Sequence, residues 1–221
     1  MRQTKSKQRI RDHGEVFTAE REVNAMIDLV ADEATRANTR FLEPTCGTGN
    51  FLVAILKRKL DATAPLYDKS PATYPQTALT ALASIYGIDI LQDNVVESQL
   101  RLLDTLKTEF NRVAHHDLPA HCDAVAHDIV STNIVCGDFL TAKTHKKKPI
   151  IVTEWEFTEE EQVSRREFRL DELMMAQEQS LFTSLWEGES DGQCRNPNPI
   201  RVYPKVSYKN NKPIKASYHE I

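Results

Sequence analysis

A glycine turn at residues 45–49 is the segment of this 221-residue chain whose residue types and spacing point most clearly to chemistry. Gly47 and Gly49 stand two residues apart, after an apolar segment at 40–43 and before a helical pattern from Asn50 to Leu60. Glycines at this spacing let the backbone turn sharply and let a ligand approach the amide groups closely. The segment is interpreted as a strand, turn and helix that bind a small ligand, with a tight turn that binds nothing as the alternative.

Two acidic residues follow later strands of the predicted sheet. Asp89 lies near the end of the apolar segment 85–90, and Asp138 follows a strand predicted at 132–136. In these positions Asp89 could accept hydrogen bonds from both hydroxyls of a ribose, Asp138 could accept one from an adenine amino group, and Phe139 offers a ring face. The structural alternatives are a helix N-cap for Asp89 and a turn residue for Asp138.

A dinucleotide is one candidate ligand for the glycine turn. Its fingerprint requires a third glycine at position 52, where this chain has Leu52, and an acid at the end of a strand about 20 residues on. Asp68 lies near that distance but within a proline-rich segment. A nicotinamide-dependent enzyme is therefore disfavoured. S-adenosylmethionine has no pyrophosphate, so it does not need the third glycine.

The combination of motifs resembles the N6-adenine DNA methyltransferases of restriction-modification systems, in the arrangement where the cofactor motifs precede the catalytic one. Residues 14–18 are similar to the family's leading motif, although Ala19 stands where the family often has proline. Residues 41–52 resemble its first cofactor motif, 86–90 its ribose motif and 133–140 its adenine motif. Four motifs in this order are much more specific than one glycine turn.

This resemblance implies a Rossmann-like α/β S-adenosylmethionine-dependent methyltransferase fold, with an incomplete sheet and an irregular C-terminal extension. It implies DNA as the partner and direct attack of the adenine amino nitrogen on the methyl group, with the base flipped out of the duplex. The residues it assigns to cofactor binding are Phe17, Thr18, Glu43, Pro44, Cys46, Gly47, Gly49, Asn50, Phe51, Asp89, Ile90, Asp138 and Phe139. Cys46 is interpreted as a packed residue rather than a nucleophile.

The family's catalytic loop, a polar residue followed by Pro-Pro and an aromatic residue, does not occur in the sequence. The nearest segment is Asn-Pro-Asn-Pro at 196–199, which is interpreted as a polar turn. Three explanations stay open: a piece of a longer enzyme, one chain of a split enzyme whose second subunit carries the loop and target recognition, or a non-catalytic relative that binds DNA or a partner. Transfer to RNA or protein also stays open.

The periodicity predicts a parallel sheet with crossover helices, followed by a different C-terminal part. Thr18 is expected to cap the first helix, and the cations at 57–59 to lie at the end of the second. The predicted helices are 20–32, 50–60, 77–83, 91–112 and 169–180, the strands 40–43, 85–90, 132–136 and 150–157, and 61–78 is an irregular loop. The predicted divisions are a basic arm at 1–13, a cofactor-binding domain at 14–148 and a polar extension at 149–221.

Composition adds several broader expectations. The formal net charge of -4 gives no overall attraction to nucleic acid, but basic runs occur in the N-terminal arm and at Lys143 and 146–148. These runs are read either as solvated or as phosphate-contacting. The longest apolar run, 51–56, is too short for a membrane helix, and four irregularly spaced cysteines predict free thiols in a cytoplasmic protein.

A cluster of His, Cys and Asp at 115–127 contains residue types that bind zinc. It lacks paired cysteines or histidines at helical spacing, so it is interpreted as an exposed histidine-rich loop rather than a metal site.

Overall fold

The computed structural model describes residues 18–158, 160–176 and 197–209, together with the backbone of 219–220. The fold is mixed α/β. In chain order the elements are α1 (Glu20–Asp28), α2 (Ala31–Thr35), β1 (Phe41–Glu43), α3 (Asn50–Thr63), α4 (Leu66–Lys69), α5 (Tyr74–Ala83), β2 (Ile85–Asp89), α6 (Gln92–Ala114), α7 (Ala120–Asn133), β3 (Ile134–Cys136), β4 (Ile151–Phe157), β5 (Gln162–Arg169), β6 (Arg201–Ser207) and β7 (His219–Glu220). Residues 170–176 are helical.

The first three strands form a parallel sheet in the order β1-β2-β3. Leu42 lies opposite Tyr86, and Ile88 lies opposite Val135. Every residue of the central strand β2 is buried, as is usual in a parallel sheet covered by helices. Helices separate the strands along the chain, so the predicted alternation of a parallel sheet with crossover helices is confirmed.

Helices α3 and α6 bury apolar stripes that follow from their sequences. Leu52, Leu56 and Leu60 recur every four residues of α3, and a side chain at i+4 lies on the same helix face. Leu102, Leu106 and Phe110 repeat the pattern in α6, and all six side chains are almost completely buried. The predicted helices 50–60 and 91–112 are therefore confirmed, with slightly different ends. Within the described residues, no helix has the length and apolar character needed to cross a membrane.

The C-terminal part is a second sheet, antiparallel, in the order β4-β5-β6-β7. The expectation of an irregular extension is therefore wrong, although the strand predicted at 150–157 is confirmed. Strand β5 was not predicted, because charged residues occupy positions at which a half-buried strand usually has apolar residues. The sheet satisfies those charges across its strands, since Arg166 pairs with Glu154 and Arg201 with Glu167.

The antiparallel sheet packs onto the α/β part and shares its core. The Tyr86 hydroxyl on β2 donates to the Thr153 carbonyl on β4 at 2.8 Å, and burial raises the pKa of this phenol to about 12. The Trp155 indole nitrogen donates to the Asn133 side-chain oxygen at 3.0 Å. Val163 lies in the same core cluster as the helices. The antiparallel sheet is thus held against the α/β part by both polar and apolar contacts.

Two predictions near the N-terminal helices are wrong. Thr18 does not cap α1, because the N-cap is Ala19 and no side chain bonds there. The predicted helix 20–32 is divided at 29–30 into α1 and α2.

The irregular loop predicted at 61–78 is also wrong, because α4 and the start of α5 occupy it. Its prolines favour helix starts rather than breaking helices: Pro65 is the N-cap of α4 and Pro75 lies in the first turn of α5. Tyr74 anchors the segment, since it is fully buried and stacks on Phe110 with 5.5 Å between ring centroids.

The histidine-rich loop predicted at 115–127 is helical over most of its length, because α7 begins at Ala120. Cys122 is buried on this helix, so it belongs to the core. The strand predicted at 132–136 starts only at Ile134, because α7 continues to Asn133. The helix predicted at 169–180 is confirmed for 170–176, and its remainder lies outside the described residues, as do the basic arm and Asn196.

Lys59 is a fully buried cation on α3. It does not lie at a helix end as predicted, because α3 continues to Thr63. Its Nζ donates to the carbonyls of Arg36 and Thr39, each at 2.6 Å, and lies 5.1 Å from the centre of the Phe41 ring. Burial lowers its pKa from 10.5 to about 8. Lys59 thereby fixes the chain between α2 and β1.

The lowered pKa of Lys59 predicts a distinctive pH dependence of stability. Between pH 8 and 10.5 the unfolded chain holds a proton on Lys59 that the folded chain has released, so the contribution of this residue to the free energy of unfolding rises with pH. The free energy of unfolding of the wild type minus that of Lys59→Met should grow over this range, by at most about 1.4 kcal/mol per pH unit. Urea unfolding followed by circular dichroism at several pH values measures it.

Lys57 is exposed on the same helix, so Lys57→Met is the matched control. The same pH dependence in both variants would contradict the assignment to the buried amine.

Candidate functional site

The side chain of Asp89, at the end of the central strand, joins two neighbouring segments. Its Oδ2 accepts from the Gly47 amide at 2.9 Å, while Oδ1 accepts from the Leu91 amide at 2.8 Å and from Asn94 Nδ2 at 3.2 Å. Asp89 is only 8% exposed. A carboxylate has about four acceptor positions, so roughly one remains for a ligand. The Asp89 side chain therefore ties the glycine turn after β1 to the start of α6.

The glycine turn has a backbone conformation that favours glycine at two positions. Gly47 has φ 52° and Gly49 has φ 86°, both in the left-handed region. A Cβ at Gly49 would lie 2.5 Å from Ser98 Oγ, whereas a Cβ at Gly47 would meet no atom within 4 Å. Gly49 is thus fixed by close packing against α6, while Gly47 leaves open space beside the turn.

A polar stripe on α6 supports the turn and was not recognised in the sequence. Arg101 Nη1 donates to the Thr48 carbonyl at 2.6 Å and to Asn50 Oδ1 at 2.8 Å. Asn94, Ser98 and Arg101 recur at intervals of four and three residues, which places them on one helix face. This spacing could have identified the polar stripe from the sequence, but only the apolar stripe of the same helix was interpreted.

The structure brings the residue before α1 to the same turn. Asn50 Nδ2 donates to the Thr18 carbonyl at 3.2 Å, so the end of the predicted leading motif lies beside the first cofactor motif. Phe17, which was also predicted to bind the cofactor, lies outside the described residues. Phe51 is half-buried and packs against the core.

The end of β1 leads directly into the glycine turn through Glu43, Pro44 and Cys46. Glu43 Oε1 accepts from the Thr45 hydroxyl at 3.3 Å, and the Cys46 amide donates to the Ile88 carbonyl at 2.9 Å. Burial, with the nearby charges of Asp89 and Glu43, raises the pKa of the Cys46 thiol to about 12. A buried, protonated thiol is a poor nucleophile, so Cys46 acts here by packing.

Asp138 organises the loop that follows β3. Its Oδ1 accepts from the Leu140 amide at 2.9 Å and its Oδ2 from the Thr141 hydroxyl at 3.0 Å. The preceding amide, of Gly137, donates to the Asp89 carbonyl oxygen at 3.0 Å. Phe139 packs against a small second core cluster. The main chain of Asp89 therefore contacts this loop while its side chain holds the glycine turn.

A cleft of about 520 Å³ opens beside Asp138. Its lining includes Ile90, Asp138, Thr141, Lys143, His145 and Lys147. Two of the residues predicted to bind the adenosine part of the cofactor, Ile90 and Asp138, thus share one cavity. The loop residues on its other side were not predicted as site residues.

The histidines of the 115–127 segment are dispersed, two of them directly after α6 and two on α7. His116 lies edge-on to Phe110, and His121 stacks on Tyr208. In the part of the chain that the structure describes, no group of three His, Cys, Asp or Glu residues is arranged to hold a metal ion.

Comparison of the chain with known protein families, with curated proteins and with solved structures gave no match.

The role of Asp89 as a junction predicts that Asp89→Asn destabilises the protein. The amide keeps the shape of the carboxylate but places an NH2 group against the Gly47 amide on one side or against the Leu91 amide on the other. We expect a loss of about 1–3 kcal/mol in the free energy of unfolding, measured by urea denaturation. Asp104, exposed on α6, provides the control Asp104→Asn with the same change of charge. An equal effect of the two substitutions would exclude the junction role.

Proposed function

We propose that this chain is the cofactor-binding part of an S-adenosylmethionine-dependent N6-adenine DNA methyltransferase of a restriction-modification system. The observation that carries the proposal is the arrangement of the glycine turn, Asp89 and Asp138 after three adjacent parallel strands. In open parallel sheets, ligands bind outside the carboxyl ends of the strands. The proposal includes the finer assignment of the first sheet as half of a Rossmann-like methyltransferase fold.

The described contacts support a division of the cofactor among three segments. The turn at Gly47 offers open space and backbone groups for the methionine part. Asp89 retains about one acceptor position for a ribose hydroxyl. Asp138 and Ile90 line the cleft, where the carboxylate would accept from the adenine amino group and Ile90 would contact the ring.

Bound S-adenosylmethionine would supply an electrophilic methyl group. This chain's contribution would be to orient the cofactor and exclude water beside the strand ends, which lowers the entropic part of the barrier. The loop that positions the target adenine is not recognisable in the 221 residues. The proposal therefore includes a source for that loop and for target recognition, either the rest of a longer enzyme or a second subunit, and DNA as the partner.

A non-catalytic module that binds DNA or a partner is the second candidate, and one observation favours it. The carboxylate predicted to hold the ribose already accepts three hydrogen bonds from the protein and is 8% exposed. If the hydrogen bond between Asp89 and the glycine turn only stabilises the fold, a protein that no longer binds the cofactor would still retain both.

Calorimetric titration of the chain with S-adenosylmethionine tests the proposal. We expect binding that weakens about ten-fold in Asp138→Asn, because the amide nitrogen can donate to Thr141 but cannot accept from the adenine amino group. Asp68→Asn is the matched control, since Asp68 is exposed on α4 and is the acid that a dinucleotide site would have needed.

Absence of binding to the folded chain would overturn the cofactor proposal and favour the non-catalytic module. Displacement of the cofactor by NAD, with sensitivity to Asp68→Asn, would instead restore the dinucleotide interpretation.

A further inference from the structure

The loop from Asp138 to Lys148 is a folded double turn rather than an open connection. The Asp138 amide donates to the Lys143 carbonyl at 2.9 Å, and the Thr144 amide donates to the Lys148 carbonyl at 2.8 Å. The Ile150 amide then returns to the Ala142 carbonyl at 2.9 Å. These bonds give the loop a defined shape.

Two residues of this loop adopt a backbone conformation that side chains disfavour. Ala142 has φ 52° and Lys147 has φ 58°, both in the left-handed region. Ala142 is nevertheless buried, in a cluster with Ile88 and Ile150. Such residues persist where the surroundings hold them, and they concentrate at ligand sites.

The shape of the loop places only some residues of the basic run in the lining of the cleft. Lys143, Thr144, His145 and Lys147 belong to its lining, whereas the neighbouring Lys146 and Lys148 do not. A Cys136 Sγ to His145 Nε2 contact of 2.8 Å ties the loop to the end of β3. The sequence alone showed a run of lysines, whereas the structure places two of them, Lys143 and Lys147, in the lining of the cleft.

The two lysines of the cleft have no role in the proposed function, because the adenosine end of S-adenosylmethionine carries no negative charge. Within the described residues, neither Lys143 nor Lys147 forms an ion pair. The one carboxylate in the lining, that of Asp138, accepts hydrogen bonds from its own loop through both oxygens. Two ammonium groups that line the same cleft favour an anionic ligand.

We propose that this cleft binds the phosphate group of a nucleotide, either free or within a nucleic-acid strand, through Lys143 and Lys147. Lysine is a common partner of phosphate, acting as a point charge. The volume of about 520 Å³ exceeds what a phosphate alone needs and is in the range of small-molecule sites. The apolar face of Ile90 is placed to contact the sugar or base. The proposed cofactor contains no phosphate, so a free nucleotide here would be a ligand beyond the proposed function. If the phosphate belongs to DNA, the inference rests on the proposed function and names the lysines that contact its partner.

Two probes distinguish the sources of the phosphate: 5′-AMP by calorimetry, and a short labelled single-stranded oligonucleotide by fluorescence anisotropy at several salt concentrations. We expect Lys143→Gln/Lys147→Gln to weaken binding of the preferred probe about ten-fold or more. For the strand, the slope of log affinity against log salt should fall by about 0.7 for each phosphate group that a lysine no longer neutralises.

Lys146→Gln/Lys148→Gln is the matched control, with the same charge change in the same run but outside the cleft lining. We expect it to weaken binding less, and thermal unfolding checks that both variants fold. Equal effects of the two variants would mean general attraction to a basic loop and would overturn the proposed site. Failure of both probes to bind the wild type at low salt would also overturn it.

Titrating the same variants with S-adenosylmethionine separates this inference from the proposed function. Loss of phosphate binding in Lys143→Gln/Lys147→Gln with cofactor binding retained supports both. If the chain binds phosphate but not S-adenosylmethionine, the phosphate site in the cleft is supported and only the cofactor proposal is rejected. Cofactor binding without phosphate binding rejects only the cleft.

Discussion

The hydrogen bonds of Asp89 are the interaction on which the site depends. Its carboxylate holds the amide of Gly47 and the start of α6, and its carbonyl oxygen receives the Gly137 amide. One residue at the end of the buried central strand thus sets the positions of the turn after β1 and the loop after β3. The same bonds limit what this carboxylate can offer a ligand. The carboxylate of Asp89 fixes the strand ends with acceptor positions that could otherwise bind ribose hydroxyls.

Three polar side chains on helices bond to backbone in loops or at the ends of other elements. Lys59 on α3 donates to carbonyls of the chain between α2 and β1, and Arg101 on α6 donates to the Thr48 carbonyl of the glycine turn. The Asn133 amide likewise donates to the carbonyls of Ala83, at the end of α5, and Ile85, at the start of β2. Backbone groups outside helices and strands need partners when they are buried. Side chains on regular elements supply those partners, so the loops that form the candidate site are positioned by the helices behind them.

Sequence reasoning succeeded where apolar periodicity and glycine spacing coincide with one element. The stripe of Leu102, Leu106 and Phe110 defined α6, and the paired glycines placed the turn between β1 and α3. It failed where stability comes from distant partners. The charged residues of β5 do not predict a strand, because the partner of Arg166, Glu154, lies on the neighbouring strand. No local pattern reveals such a partner. The cofactor and the activity stay predictions, because the described geometry shows where the motifs meet and not what they bind.

The second sheet is part of the framework of the cleft, although the sequence analysis separated it from the first. Ile150, just before β4, packs beside Gly137, where an added Cβ would lie 2.7 Å from its side chain. It also contacts the buried Ala142 in a cluster completed by Leu170, the residue directly after β5. The Leu170 amide donates to the Ile150 carbonyl at 3.0 Å, which fixes that residue from the antiparallel side. The strained Ala142 is therefore held between strand β2 and the hairpin β4–β5. Because this support orients the loop that carries Lys143 and Lys147, the charge of the cleft is a product of both sheets.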